Sequence, residues 1–366
     1  MLALAQSIAA GVVLARLSRG RSRRPALVAV ECVEPVSVVI PARDEAARIG
    51  PCLNGLAAEA KASVEVIVVI DEADDPTAAV ARAAGARVIV APPLAEGWVG
   101  KPWALKQGVD AATHDVVVCL DADVRPKRGL LGALTRELAG ADFITCAPRF
   151  LCEAPAERFL QASMLASLVY RFGPGDVEDP GRMVANGQCT VTRRSWFLAQ
   201  GGYEQSIGHM TDDIALARTM VEAGHRVGFR DAADLLDVKM YDSVGEIWRE
   251  WGRSLGAVDT MGRRELAGDL AVVWLVMALP VLRLVTGRPT RIDRALLALR
   301  WAMTAAFGRA FDRRDLGFWL SPLADPATAT RLTMSAVRPS LTWRGRTYAS
   351  AGPRGTAAPS GTSARP

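Results

Sequence analysis

The sequence predicts an α/β fold built on a mostly parallel sheet, and three observations carry that prediction. Short apolar runs alternate with short helical stretches between residues 36 and 150, a pattern that implies right-handed crossovers and parallel strands. The run Val116–Leu120 is apolar at every position, as a strand buried on both faces requires. Acidic residues recur just past three of these runs: Asp44 and Glu45, then Asp71, then Asp121 with Asp123. Open α/β sheets bind ligands beyond the carboxyl ends of their strands, so acids repeated along one sheet edge predict a site there.

The chain has 366 residues, enough for one large α/β domain with appended elements or for two domains. Half of the residues are hydrophobic and the mean hydropathy is +0.15, high for a purely soluble enzyme. A formal charge of +5 fits an anionic partner, such as a membrane surface or a phosphorylated substrate. No basic block interleaved with aromatics is present, which argues against nucleic acid. The six cysteines form no C-x-x-C pair and read as reduced core residues, not as a disulfide frame or a zinc site. Three dispersed histidines cannot build a His-based metal centre.

Met1 to Leu17 is apolar except for Gln6, Ser7 and Arg16, and four arginines follow between Arg19 and Arg24. A signal peptide carries its positive charge before the apolar run. The order here predicts an N-terminal membrane anchor over residues 1–18, with an interfacial amphipathic helix as the competing form. Either leaves residue 36 onward in the cytoplasm.

Strand 36–40 runs directly into Pro41, Ala42, Arg43, Asp44 and Glu45, and a helix is expected from Glu45 to about Ala62. Strand 64–70 ends at Asp71; Pro76 and Thr77 open a helix that Gly85 closes, and strand 87–90 follows. A loop leads to Lys101 and a helix through Gly108, then to Val116–Leu120 and the Asp121-Ala122-Asp123 triplet. Two carboxylates at i and i+2 suit Mg or Mn, because hard oxygen ligands hold such a cation beside substrate phosphates. One acidic pair alone is equally well a solvated turn; three at one edge favour a site. Arg43 and Lys101 near that edge would balance a diphosphate.

Residues 155–172 show near-helical apolar spacing, suited to a core-facing helix or to a lipid-facing surface. Asn186 to Thr192 reads as a turn and strand. Thr211, Asp212 and Asp213 open a helix with Thr211 or Asp212 as its cap, and first-turn acids are also common for purely structural reasons. Farther on, apolar stretches at 270–282 and 295–311 are interrupted by Pro280, Arg300 and Arg309. They predict two tilted spans, an interfacial hairpin or a soluble helical pair. Phe318–Leu320 and Leu341–Arg346 read as interface anchors, and residues 349–366 as a disordered tail.

The ordered motifs PARDE (41–45), IDEADDPT (70–77), GKPWALKQG (100–108) and LDADVRP (120–126) resemble the nucleotide-sugar-binding half of family-2 glycosyltransferases with a GT-A fold. The resemblance extends over residues 36–255, divided into a nucleotide-sugar half (36–150) and an acceptor half (151–255), with membrane or interface helices at 262–348. It implies that Pro41, Arg43, Asp44 or Glu45, and Asp71 contact the donor. It places Lys101 near the nucleotide, Asp121 toward the ribose and Asp123 on a Mg or Mn ion bridging the diphosphate. Thr211–Asp213 resembles the family's T-E-D motif, with Asp212 in place of Glu and Asp213 aligned with the catalytic Asp.

Residues 246–254 only partly match the Q/R-x-x-R-W motif, since Ser254 stands where Trp is expected; Asp212, Trp251 and Arg253 are the acceptor or diphosphate candidates. The resemblance implies an inverting transfer of a hexose from a UDP sugar to a hydroxyl or carboxyl of a hydrophobic lipid. The layout is similar to the branch acting on carotenoids, hopanoids or ceramide-like lipids at the cell membrane. Polysaccharide-type and polyprenyl-phosphate glycosyltransferases are the alternatives. A nucleotidyltransferase would carry a Gly-rich loop where PARDE stands, and an inactive scaffold would not keep every acid.

Overall fold

The computed structural model describes residues 1–18, 26–59, 63–173, 181–256 and 259–338, with 342–343 and 346–347. A seven-stranded mixed sheet has the order β3-β2-β1-β4-β8-β6-β9. Its strands are β1 (Val36–Ala42), β2 (Val64–Ile70), β3 (Arg87–Val90), β4 (Val116–Leu120), β6 (Phe143–Ala147), β8 (Cys189–Arg193) and β9 (Val227–Asp231). β1 pairs in parallel with β2 and β4, β2 with β3, and β6 with β9. β8 enters antiparallel between β4 and β6. A small sheet of β5 (Val124–Pro126), β10 (Leu236–Val238) and β7 (Arg149–Phe150) stands beside the main one.

All five positions of β4 are buried, as its apolar run predicted. Helices α2 (Gly50–Ala57), α3 (Thr77–Ala83), α4 (Gly100–Ala111) and α5 (Leu130–Glu137) supply the crossovers. α4 lies so close to the sheet that a Cβ on Gly108 would collide with Val39. The helix expected from Glu45 begins only at Gly50. Asp44 adopts φ +57°, a left-handed conformation that breaks the chain direction, and the Glu45 N–H is given to the Thr77 hydroxyl at 2.9 Å. Helix α6 (Pro155–Phe172) spans its expected range; α7 (Arg194–Ala199) and α8 (Asp212–Glu222) complete the domain. All six cysteines are free and buried.

The N-terminal helix α1 (Leu2–Ser18) packs against α6 and the C-terminal helices. Leu4, Ile8 and Leu14 face outward, while Ala9 and Val13 are buried among them. Its polar residues find partners inside: Gln6 donates to Asp293 at 2.6 Å and Arg16 to the fully buried Asp269 at 2.7 Å. Among the described residues one helix, Arg263–Val285, is long and apolar enough to cross a membrane. Its central π turn, Trp274–Ala278, falls just ahead of Pro280, whose missing N–H breaks the regular ladder.

The second apolar stretch forms the helix Arg291–Ala306 and a short turn, Phe307–Ala310. Arg300 points inward and pairs with Asp325 of the helix Asp325–Val337 at 3.0 Å, and Ser163 of α6 donates to the same carboxylate at 2.7 Å. Both charges are buried, so removing one strands the other. Asp325→Ala is expected to destabilise the helical layer by about 3–5 kcal/mol, read as a lower melting temperature. The expected anchor at Leu341, Arg344 and Gly345, the side chains around it, and the tail 349–366 lie outside the described residues.

Candidate active site

A cavity of about 1740 Å³ opens at the carboxyl edge of β1, β2 and β4. Pro41, Arg43, Glu45, Asp71, Lys101, Asp121 and Asp123 all reach its wall, so the acids predicted at one edge do converge. Asp44 does not: its side chain is 74% exposed and borders a separate cleft with Asp74 and Asp75. The turns after β1 and β2 are sewn together, because Asp75 accepts the Asp44 N–H at 2.9 Å and the Thr77 N–H at 2.8 Å. Arg43 reaches Asp71 at 3.3 Å across the same seam.

Lys101 enters from the first turn of α4. Its Nζ lies 2.6 Å from Asp121 Oδ1 and donates to the Gly187 carbonyl at 3.2 Å. Gly187 in turn donates its N–H to Asp213 Oδ2 at 2.8 Å, and the Ile214 N–H serves Asp213 Oδ1 at 2.8 Å. A Cβ on Gly187 would stand 3.1 Å from Lys101 Nζ and 3.3 Å from Asp213 Cβ. A side chain there would press the lysine and the acid back by a few tenths of an ångström. Burial works against the Lys101 ammonium, but Asp121, Asp212 and Asp213 outweigh it and hold its pKa above the ordinary lysine range.

The acids respond to the same crowding. Burial pushes Asp212 up to about 7 against the pull of Lys101, with Asp213 adding to the rise. Burial raises Asp213 as well, opposed by Lys101 and the two backbone N–H donors. Asp123 is pushed up to about 7 by burial and by Asp121, with Arg48 opposing. Its Oδ1 is buried and has no hydrogen-bond partner, an expensive state for a carboxylate. A bare, buried carboxylate oxygen facing a basic and acidic cavity fits a hard divalent cation. No group of three or more His, Cys, Asp or Glu side chains among the described residues forms a ready-made cage. A cation here would therefore take its other ligands from phosphate and water, as Mg commonly does.

Sequence reasoning missed several wall residues. Arg48 donates to the carbonyls of Lys239 (3.1 Å) and Met240 (2.6 Å) while its charge bears on Asp123. It lies in a turn that was expected to be helix, and no spacing in the sequence marks it. Asn186 and Gln188 bracket Gly187 and bond to each other at 3.0 Å; the Asn-Gly pair was legible only as a turn. Thr211 sits at the N-cap of α8, yet its side chain makes no capping bond. Trp251 is buried, its ring 5.9 Å from Phe150, and both rings line the cavity. The side chain of Arg253 lies outside the described residues, whereas Arg249, one turn earlier, reaches the wall. Away from the acids the cavity turns apolar, walled by Leu165, Leu168 and Val169 of α6, by Leu255 and Met261, and by Phe307.

The strand edge thus gathers an Asp-x-Asp, a lysine and a second acid pair at a helix start around one cavity. Residues 34–268 match the family described as "Glycosyltransferase like family 2", and the chain belongs to that family of glycosyltransferases. Among curated proteins it is similar to a 4,4'-diaponeurosporenoate glycosyltransferase of Staphylococcus haemolyticus, 24% identical over 67% of each chain. The protein of the same name from Staphylococcus aureus (strain MRSA252) is 28% identical over 66% of this chain and 65% of its own. The chain thus spans about two thirds of the length of these relatives. Among solved structures it shares the fold of the mannosyltransferase PcManGT from Pyrobaculum calidifontis, solved with GDP-Man and Mn2+. The TM-score is 0.54 at 17% identity, over 91% of this chain and 97% of that one.

Proposed function

We propose that this glycosyltransferase moves a hexose, with inversion, from a nucleotide sugar such as a UDP-hexose to a hydroxyl or carboxyl group of a hydrophobic lipid at the cytoplasmic face of the cell membrane. One observation carries the reading: a single cavity joins the acidic strand edge to an apolar wall built by α6 and the C-terminal helices. Arg43, Asp71 and Lys101 bind the donor, with Asp121 toward its ribose. Asp123 holds Mg or Mn, which when bound neutralises charge on the departing diphosphate. Lys101, now paired with Asp121, is released toward the diphosphate as the donor enters.

Asp213 is the base. Its two oxygens are held by backbone N–H groups, so the carboxylate is oriented before the acceptor arrives. It takes the proton of an acceptor hydroxyl as that oxygen attacks the anomeric carbon. A carboxyl acceptor is ionised at neutral pH and attacks through its own oxygen, so only a hydroxyl acceptor needs Asp213 as its base. Trp251 and Phe150 hold the acceptor's apolar body. The names of the staphylococcal relatives support an acceptor of carotenoid-acid type. The outward apolar residues of α1 and the helix Arg263–Val285 support membrane association. Overexpression is expected to produce a new hexosyl adduct in extracted membrane lipid by mass spectrometry; adducts confined to water-soluble glycan would refute the lipid acceptor.

A further inference from the structure

Thr211 immediately precedes the Asp212–Asp213 pair and holds the N-cap position of α8, with φ −102° and ψ 63°. A threonine there ordinarily turns its hydroxyl onto the second or third backbone N–H of the helix. Here both of its donors point away. The Thr211 N–H gives to one oxygen of Asp259 at 2.9 Å and the hydroxyl to the other at 2.8 Å. His209 Nδ1 stands 3.8 Å from the same carboxylate. The third N–H of α8, that of Ile214, is thereby left to Asp213 Oδ1.

Buried arginines that do not line the cavity hold the described backbone on either side of Asp259. Arg171 of α6 donates to the carbonyls of Leu255 and Gly256, the latter at 2.8 Å. Arg218 of α8 donates to the Thr260 carbonyl at 2.7 Å. The two guanidinium groups lie 4.6 and 5.8 Å from the Phe172 ring. Charge-assisted bonds from buried cations hold a backbone strongly, so Asp259 is presented to Thr211 from a fixed position.

We propose that Asp259 is a positioning residue for sugar transfer, fixing through Thr211 the turn from which Asp213 enters the cavity. The proposal rests on the reading of Asp213 as the base. Removing the Asp259 carboxylate frees the Thr211 hydroxyl to cap α8. It then competes for the Ile214 N–H, and Asp213 loses one of the two bonds that orient it. Displacing a reacting group by an ångström costs on the order of a hundredfold in rate.

Steady-state kinetics of the full chain test this. Asp259→Ala is expected to lower kcat about 10- to 100-fold while the donor KM stays within about threefold. Asp259→Asn should recover most of that loss, because its carbonyl still accepts from the Thr211 N–H and its amide can donate to the hydroxyl. Thr211→Val should cost several-fold in kcat, and adding it to Asp259→Ala should cost nothing further, as partners in one interaction require. An unchanged kcat in Asp259→Ala, equal losses in the Ala and Asn variants, or additive losses with Thr211→Val would overturn the proposal. If Asp259→Ala does not fold, Thr211→Val alone decides, an unchanged kcat being the contrary result. Asp213→Asn run alongside separates the two readings: activity retained there removes the base, whereas its loss beside an unaffected Asp259→Ala removes only the positioning role.

Discussion

With a hydroxyl acceptor, Asp213→Asn is expected to lower kcat by about 10²- to 10⁴-fold, the range a positioned general base supplies, with donor affinity nearly unchanged. The amide is isosteric and its carbonyl oxygen keeps one of the two backbone donors, Gly187 or Ile214, while its NH2 faces the other, so the fold and the cavity survive with one orienting bond lost. What disappears is the lone pair that accepts the acceptor's proton. Lys101 touches Asp121 and not Asp213, which is why donor binding should be spared. Titration calorimetry with the nucleoside diphosphate checks that half of the prediction. A matching loss of donor affinity would instead place Asp213 in the donor site.

Asp123→Ala is expected to affect donor binding as well as turnover. It removes a buried carboxylate oxygen that has no hydrogen-bond partner, and with it the protein's hold on the cation. Loss of Lewis-acid stabilisation is worth several kcal/mol, so turnover should fall by roughly a thousandfold. Binding of the nucleoside diphosphate should lose its dependence on Mn, and raising Mn should not restore the rate. Stability should rise slightly or hold, because a carboxyl pushed up to about 7 by burial and by Asp121 is a cost to the folded state. Retained Mn-dependent turnover in this variant would move the metal site elsewhere.

The strand edge was legible because each strand is a short apolar run ended by an acid, and no distant partner is needed to read that. Val36, Val64 and Val116 do fall into register across β1, β2 and β4. The start of α2 was not legible, since the positive φ of Asp44 is held by partners on the next turn, Asp75 and Thr77. Nor was the antiparallel entry of β8, which depends on where the long path through α6 returns the chain. The polar contacts inside the helical layer were not legible for the same reason. Gln6 and Arg16 look like blemishes in an anchor until Asp293 and Asp269 are found 287 and 253 residues away. Around the cavity, charged residues at strand ends were legible, whereas Arg48, Asn186 and Asp259 bond to backbone or to side chains that only the fold brings near.

The most direct test of the joined cavity is nucleoside diphosphate release by the purified protein from a UDP-hexose with Mn, with and without extracted membrane lipid. The proposed function predicts release that lipid stimulates and that Asp123→Ala abolishes, since it has donor and acceptor meet in the one cavity. Failure to bind or turn over any nucleotide sugar, with Mg or with Mn, would contradict it.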